Sequence, residues 1–335
     1  MAQGKRQKKS SKKPLSGRVA LVAGATRGAG RGIACALAEA GAIVYCTGRS
    51  IPGKLSDYGR PETVDETAAL IQAAGGTAIC VRVDHTIERE VAALYRRILR
   101  KHQRLDIVVD SVAGEDPLMK QHGSLGETDL GNADRIFRQG LLSRIITAKY
   151  AARAMMPAKQ GLIVIMTEND IIGAAANPLA HIVKAAQKVL PLRWAVELDA
   201  HGITVVALTP GFLRSESVLD HFAVTEDNWR EAGRKDPNFL ASESPLFVGR
   251  AVAALAADPG IQERTGMLFS SWELARDYGF TDYDGRRPDW GRHPIDFTVL
   301  PPAWLRYIRT STRLELKWLT MLAARARRFR AKIPA

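Results

Sequence analysis

From Arg18 onward, short apolar runs alternate with longer stretches in which apolar side chains recur every three or four positions. The short runs read as buried strands and the longer stretches as amphipathic helices. The pattern predicts strands over 19–23, 43–47, 78–83, 107–111, 162–167, 203–209 and 267–270. Between them it predicts helices over 30–40, 63–74, 88–102, 134–156, 179–200 and 247–257, several of them stopped by glycine at Gly41, Gly75-Gly76 and Gly202. Strands alternating with helices build a parallel sheet covered on both faces, so the expected fold is α/β: a Rossmann-type, doubly wound single domain over 15–285. No internal repeat is visible.

Three stretches break the rhythm. Residues 1–14 are rich in Lys, Ser and Gln and are expected to be disordered. Residues 212–246 are polar and charged but carry Phe212, Leu213, Phe222, Trp229 and Phe239. They read as a lid over the C-terminal edge of the sheet, where such folds bind ligands, or as an ordinary surface insertion. As a lid they suggest a small, partly apolar substrate. Residues 286–335 form an extension ending in a basic amphipathic helix, with Leu305, Ile308, Leu316, Leu319, Leu322 and Phe329 recurring at helical spacing among Arg309, Arg313, Lys317, Arg327 and Arg328. Such a helix packs on its own domain, on a second subunit or on an anionic membrane surface.

The net charge of +13 changes the picture less than it first suggests. The two ends carry all of the excess, and the body between them is close to neutral. The body therefore has no general attraction for polyanions, and no recognition motif argues for nucleic-acid binding. Cys35, Cys46 and Cys80 are scattered in apolar contexts and read as reduced core residues, without metal-ligand spacing. No apolar run approaches the ~20 residues of a membrane span, and the short run at 19–25 is not a signal sequence. The expectation is a cytoplasmic protein, membrane-associated only if its last helix binds lipid.

The candidate chemistry begins at Gly24-Ala25-Thr26-Arg27-Gly28-Ala29-Gly30, between the first strand and the first helix. Glycines at that junction let a pyrophosphate approach the helix N-terminus, whose free N–H groups and dipole favour anions. The spacing Gly-x-x-x-Gly-x-Gly resembles that of the short-chain dehydrogenase/reductase family, and the resemblance runs from about Leu15 to Asp282. Asp84 follows the third strand, where the family's acid contacts adenine. Val109-Asp110-Ser111-Val112-Ala113-Gly114 stands, altered and one residue longer, where the family has Asn-Asn-Ala-Gly, so Ala113 falls on the cofactor. Pro210-Gly211 matches the family's nicotinamide-side turn, and Thr265-Gly266 leads into the last strand. The resemblance implies a nicotinamide cofactor, a homodimer or homotetramer, and dehydrogenase or reductase activity. The cofactor expected is NADP(H): an NAD site places an acid after the second strand, whereas here Thr47-Gly48-Arg49 offers Arg49, with Arg27 to assist, to a 2′-phosphate.

The family's catalytic helix carries a Tyr four residues before a Lys. The Lys holds the nicotinamide ribose and lowers the Tyr pKa, and a Ser about thirteen residues upstream of the Tyr steadies the substrate oxygen. Lys184 is present here, but the position four before it is Ala180, and no Tyr in the chain precedes a Lys at that spacing. Thr167 stands at the Ser position, and Gln139 near the family's helix Asn. Three readings stay open. His181, or Glu168 or Asp170 beside Thr167, replaces the Tyr as proton donor. Alternatively the substrate is an iminium, which needs no donor and is stabilised by a carboxylate such as Glu168, or an enone reduced at carbon. Otherwise the fold serves a cyclase, isomerase or lyase, or a non-catalytic binder or scaffold. The expected activity is reduction of a C=N, C=C or C=O bond.

Overall fold

The computed structural model describes residues 13–55, 59–119, 125–168 and 178–294. Among these, parallel strands β1 (Val19–Ala23), β2 (Ile43–Gly48), β3 (Thr77–Arg82), β4 (Ile107–Asp110), β5 (Gly161–Met166), β6 (Ile203–Thr209) and β7 (Leu268–Ser270) form one sheet in the order β3-β2-β1-β4-β5-β6-β7. β1 and β6 are buried along their whole length, as strands covered on both faces must be. The order reverses between β1 and β4, where Ala23 pairs with both Thr47 and Asp110. That switch point opens a crevice at the carboxyl ends of the strands.

Helices α1 (Gly28–Glu39), α2 (Val64–Ala73) and α3 (Glu88–His102) connect the first four strands. They are followed by α4 (Asp116–Met119), α5 (Leu130–Phe137), α6 (Ser143–Met155) and α7 (Pro178–Leu198), then α8 (Glu216–Phe222), α9 (Pro245–Ala257) and α10 (Ser271–Tyr278). Thr63 opens α2 with a capping box: its hydroxyl accepts from Glu66 N while the Glu66 carboxylate accepts from Thr63 N. One face of the sheet packs Ile33, Leu37, Val248 and Leu255, and the other packs Val91, Ile98, Ile146 and Met155. α1 and α9 touch through glycine: a Cβ on Gly32 would collide with the Pro245 carbonyl oxygen, and one on Gly249 with the Gly32 carbonyl oxygen.

The structure departs from the hydrophobic pattern in four places. The helix expected over 134–156 is broken by a π-helical turn at Arg138–Leu142 between α5 and α6. The wide turn accommodates close packing of Gly140, where a Cβ would press on the Val183 and Glu115 side chains. Lys13 and Pro14 are not part of a disordered tail, because Ser16 N donates to Lys13 O and Leu15 is buried in the core. Within 212–246, Phe222, Trp229 and Phe239 face one another rather than a ligand. Trp229 lies against the guanidinium groups of Arg214 at 4.2 Å and of Arg230 and Arg286 at 4.6 Å. Finally, the boundary expected at 285 is not a break. Trp290 packs edge-on against Phe212, and Asp289 accepts from Arg276 Nη1. The basic helix at 305–329 lies outside the described residues. No helix among the described residues is long and apolar enough to cross a membrane, and the three cysteines are unpaired.

Candidate active site

The strand ends at the switch point enclose a cavity of about 940 Å³. Its cofactor-side wall is mostly backbone. Gly24 turns with φ +82° directly after β1, and a Cβ there would collide with the Ser111 carbonyl. A Cβ on Gly30 would likewise collide with the Gly24 carbonyl, so the turn closes only with glycine at both positions. Gly28 N begins α1 and faces the cavity side of the turn, where it donates at 2.8 Å to Glu216 of α8. Arg31 lies 3.4 Å from the same carboxylate. A carboxylate thus sits on the helix N-terminus, which is what an anion site at that position would attract. Arg49, after β2, lines the cavity and reaches across to Gln139 Oε1 at 3.3 Å. Arg27 also lines it and donates to Glu62 at 2.9 Å. Asp84 uses one oxygen to accept from Thr86 N and Thr86 Oγ. Ala113, Pro210 and Gly211 are also on the cavity wall, whereas Gly30 is buried behind the turn and does not line it. The backbone cradle at the N-terminus of α1 fits the pyrophosphate of a dinucleotide.

The opposite wall is built from charged side chains. Lys184 comes from α7 and is 8 % exposed. Its Nζ lies 3.1 Å from Glu168, 3.5 Å from Asp116 and 3.6 Å from Glu115. Burial alone would lower the lysine pKa, but the three carboxylates outweigh it and hold the pKa above its ordinary value. Glu115 is fully buried. One oxygen accepts from Gln187 Nε2 at 3.2 Å, and the other has no partner among the described residues. Gln187 also donates to the Gly140 carbonyl in the π turn at 3.0 Å, tying α7 to that turn. Asp116 lines the cavity with 32 % of its side chain exposed. Burial pushes its pKa up to about 7; Lys184 opposes this, and Glu115 and Glu168 add to it. Thr167 also lines the cavity, is 4 % exposed, and its hydroxyl has no partner among the described residues.

Below this wall, Arg144 of α6 is buried and donates to the Asp110 carboxylate and carbonyl at 3.1 Å and to the Val112 carbonyl at 2.7 Å. This ion pair fixes the altered Asp110–Gly114 turn. His85 donates or accepts between the hydroxyls of Thr47 and Thr147 at 2.9 and 2.8 Å. Burial lowers its pKa to about 4, so it remains a neutral strut at physiological pH. The far end of the cavity is closed by Phe212, Leu213, Trp272, Trp290 and His293.

Of the expected residues, Thr167, Glu168 and Lys184 share the cavity with the glycine turn, Arg49, Asp84 and Pro210-Gly211. The side chain of His181 and all of Asp170 lie outside the described residues. Sequence reasoning did not find Glu115 and Asp116. Their signal was available: two acids directly after the Ala113-Gly114 turn, at the carboxyl end of β4 and beside the switch point. Trp290 and His293 were also missed, because 286–294 was assigned to the extension, and Asn238 was missed within the 212–246 lid, where only apolar and aromatic residues were singled out.

A family model described as enoyl-(acyl carrier protein) reductase matches residues 24–260. The chain is 36 % identical over 278 residues to dehydrogenase/reductase SDR family member 1 of Mus musculus, covering 82 % of this chain and 85 % of that protein. It is 30 % identical over 274 residues to the hydroxynaphthalene reductase arp2 of Aspergillus fumigatus, covering 77 % of this chain and 92 % of that one. In fold it is similar to a hydroxysteroid dehydrogenase from Escherichia coli, with a TM-score of 0.61 at 22 % identity over 77 % of this chain and 96 % of that one.

Proposed function

The chain belongs to the short-chain dehydrogenase/reductase family of oxidoreductases, and we propose that it is an NADP(H)-dependent reductase of a small, partly apolar carbonyl compound. One observation carries this reading: the glycine turn, Arg49, Lys184 and Thr167, whose hydroxyl has no partner among the described residues, line a single cavity. Gly24, Thr26 and Gly28, with Gly30 behind them, would hold the pyrophosphate, Arg49 and Arg27 the 2′-phosphate, and Asp84 the adenine side. Ala113, Lys184 and Pro210-Gly211 would flank the nicotinamide ribose and ring. When bound, the reduced cofactor supplies a hydride. The residues of this chain do the rest. Thr167 holds the substrate oxygen, Lys184 stabilises negative charge beside it, and Phe212, Leu213, Trp272 and Trp290 exclude water and offer an apolar surface.

A second reading is favoured by the same charges. Three carboxylates around one ammonium leave the wall negative, which suits a cationic iminium substrate. NADPH binding by fluorescence, followed by NADPH oxidation against panels of ketones, imines and enones, tests both. Turnover of ketones supports the first reading and turnover of imines alone the second. Tight binding with no turnover of any panel would overturn both and favour a non-redox role.

We also infer a homodimer. Ile182, Val189, Leu192 and Val196 on α7 and Leu142 and Ile145 at the start of α6 are apolar and exposed in the single chain. Val196→Glu with Leu192→Glu should convert a dimer to a monomer in light scattering. An unchanged mass would sink the assignment of this face.

A further inference from the structure

We propose that Asp116 is the general acid of this site, supplying to the substrate oxygen the proton that Ala180 cannot. The inference rests on the reading of the chain as an NADP(H)-dependent carbonyl reductase.

Glu115, Asp116 and Glu168 all lie within 3.6 Å of a single ammonium group, Lys184 Nζ. One positive charge cannot neutralise three negative charges held this close to it, so a proton on one of the carboxyls relieves their repulsion. The environments of the three carboxyls decide which one keeps it. Glu168 is 47 % exposed, so water solvates its charge, and it makes the shortest contact to Lys184. Glu115 is fully enclosed and absent from the cavity wall, and it is tied down by Gln187. Asp116 is on the cavity wall, and its hydrogen-bond donor among the described residues is Lys184 at 3.5 Å. Its charge is the least compensated of those that a ligand can reach. Its pKa, raised to about 7 by burial and by the neighbouring carboxylates, agrees with that placement. The groups facing it among the described residues are Lys184 of α7, Glu168 after β5 and Glu115 beside it in the chain.

An acidic cluster alone does not mark a site. Here Thr167 is on the same wall, and its buried hydroxyl has no partner among the described residues, so it lacks one hydrogen bond that a substrate oxygen would complete. The step balances. As a hydride from a reduced nicotinamide reaches the carbonyl carbon, the O–H bond of Asp116 breaks and its proton forms the O–H bond of the product alcohol. The Asp116 carboxylate is left beside the Lys184 ammonium, which stabilises it. Water reaching the exposed part of the side chain then returns the proton. Lys184 thus acts on a carboxyl acid as the family's lysine acts on a phenol.

The test uses the full chain. Infrared titration without cofactor reads the C=O stretch of protonated carboxyl groups. A band that disappears near pH 7 is expected, absent in Asp116→Asn and shifted to higher pH in Lys184→Met. Glu243 is a second buried carboxyl with a raised pKa, about 8, so Glu243→Gln supplies the background. In NADPH-dependent reduction of phenanthrenequinone, kcat should fall as pH rises through about 7, because the protonated form is the active one. Asp116→Asn should lower kcat by about 10²-fold or more, leave KM within about two-fold and abolish that pH dependence. Asp116→Glu should restore part of the rate. A band that persists in Asp116→Asn, or a variant with the wild-type pH profile, overturns the proposal. Loss of NADPH binding, measured first by fluorescence, overturns the reductase reading and the acid role with it. Normal NADPH binding with an Asp116-independent band overturns the acid alone.

Discussion

The two walls of the cavity are built by opposite means. The β1–β2 wall presents backbone: a glycine turn too tight for a Cβ, the N-terminus of α1, and two basic side chains, Arg27 and Arg49. The β4–β5 wall presents side chains: one lysine, two carboxylates, a glutamine and a threonine gathered from α4, the end of β5 and α7, with the Glu115 carboxylate buried behind them. The first wall depends on local chain geometry and can change little without losing its shape. The second depends on charge balance among distant segments, so a single replacement there redistributes protons and alters chemistry while the fold stays intact.

Removing Lys184 should have the largest effect and would test this contrast directly. Lys184→Met leaves three carboxylates around an uncharged side chain. Breaking a buried ion cluster from one side costs about 3–5 kcal/mol, and turnover should be lost altogether. The destabilisation should depend on pH in a defined direction. Without the ammonium that opposes the rise, the Asp116 carboxyl has a folded pKa raised still further above its unfolded one. Its neutral form then fits best, so stability is present at low pH and is lost as pH rises through the raised value. Thermal melts of the variant should approach wild type near pH 5 and fall away by pH 8, both rough figures following from that linkage. Equal destabilisation at both ends would mean that the cluster is not a charge-balanced unit.

The difference between the walls also explains what was legible in the sequence. The strands, their parallel arrangement and the glycine turn follow from local periodicity and from residues within one short segment, Gly24 to Gly30. Thr63, Gly41 and Gly202 end or begin elements by local rules, and they do so in the structure. The π turn at Arg138–Leu142 was not legible, because the apolar spacing continues through it and its cause, the approach of Val183 and Glu115 to Gly140, is tertiary. Nor was the burial of Trp229 against three arginines, since aromatic residues in a polar stretch read equally well as ligand contacts. Lys184 and Thr167 were found through their spacing. Glu115 and Asp116 were not, because only the folded chain brings them to Lys184.

On the backbone wall, Arg49 tests cofactor choice. Arg49→Ala removes a charge-assisted contact worth about 1.5–3 kcal/mol, so NADPH affinity should fall about 10- to 100-fold while NADH affinity changes little. Calorimetric titration with both cofactors reads the difference. Equal losses would show that Arg49 supports the wall sterically, with no reading of a 2′-phosphate.

The smallest effect expected concerns Glu216, where the walls differ in what occupies them. The Gly28 N–H that should meet a pyrophosphate donates to the Glu216 carboxylate, with Arg31 close by. A bound dinucleotide would place its own negative charge at the same helix N-terminus, so the two anions compete. Glu216→Gln keeps an acceptor oxygen but removes the charge, and it should tighten NADPH by about three- to ten-fold, the ~0.3–1 kcal/mol of one charge at a helix end plus relief of repulsion. The gain should shrink with added salt, because half-exposed charges are screened. The same variant should leave the Asp116 carboxyl titration unchanged, since Glu216 is not among the groups that perturb it. Weaker NADPH binding would instead mean that α8 must hold Gly28 for the turn to keep its shape, making the carboxylate part of the cradle and not its competitor.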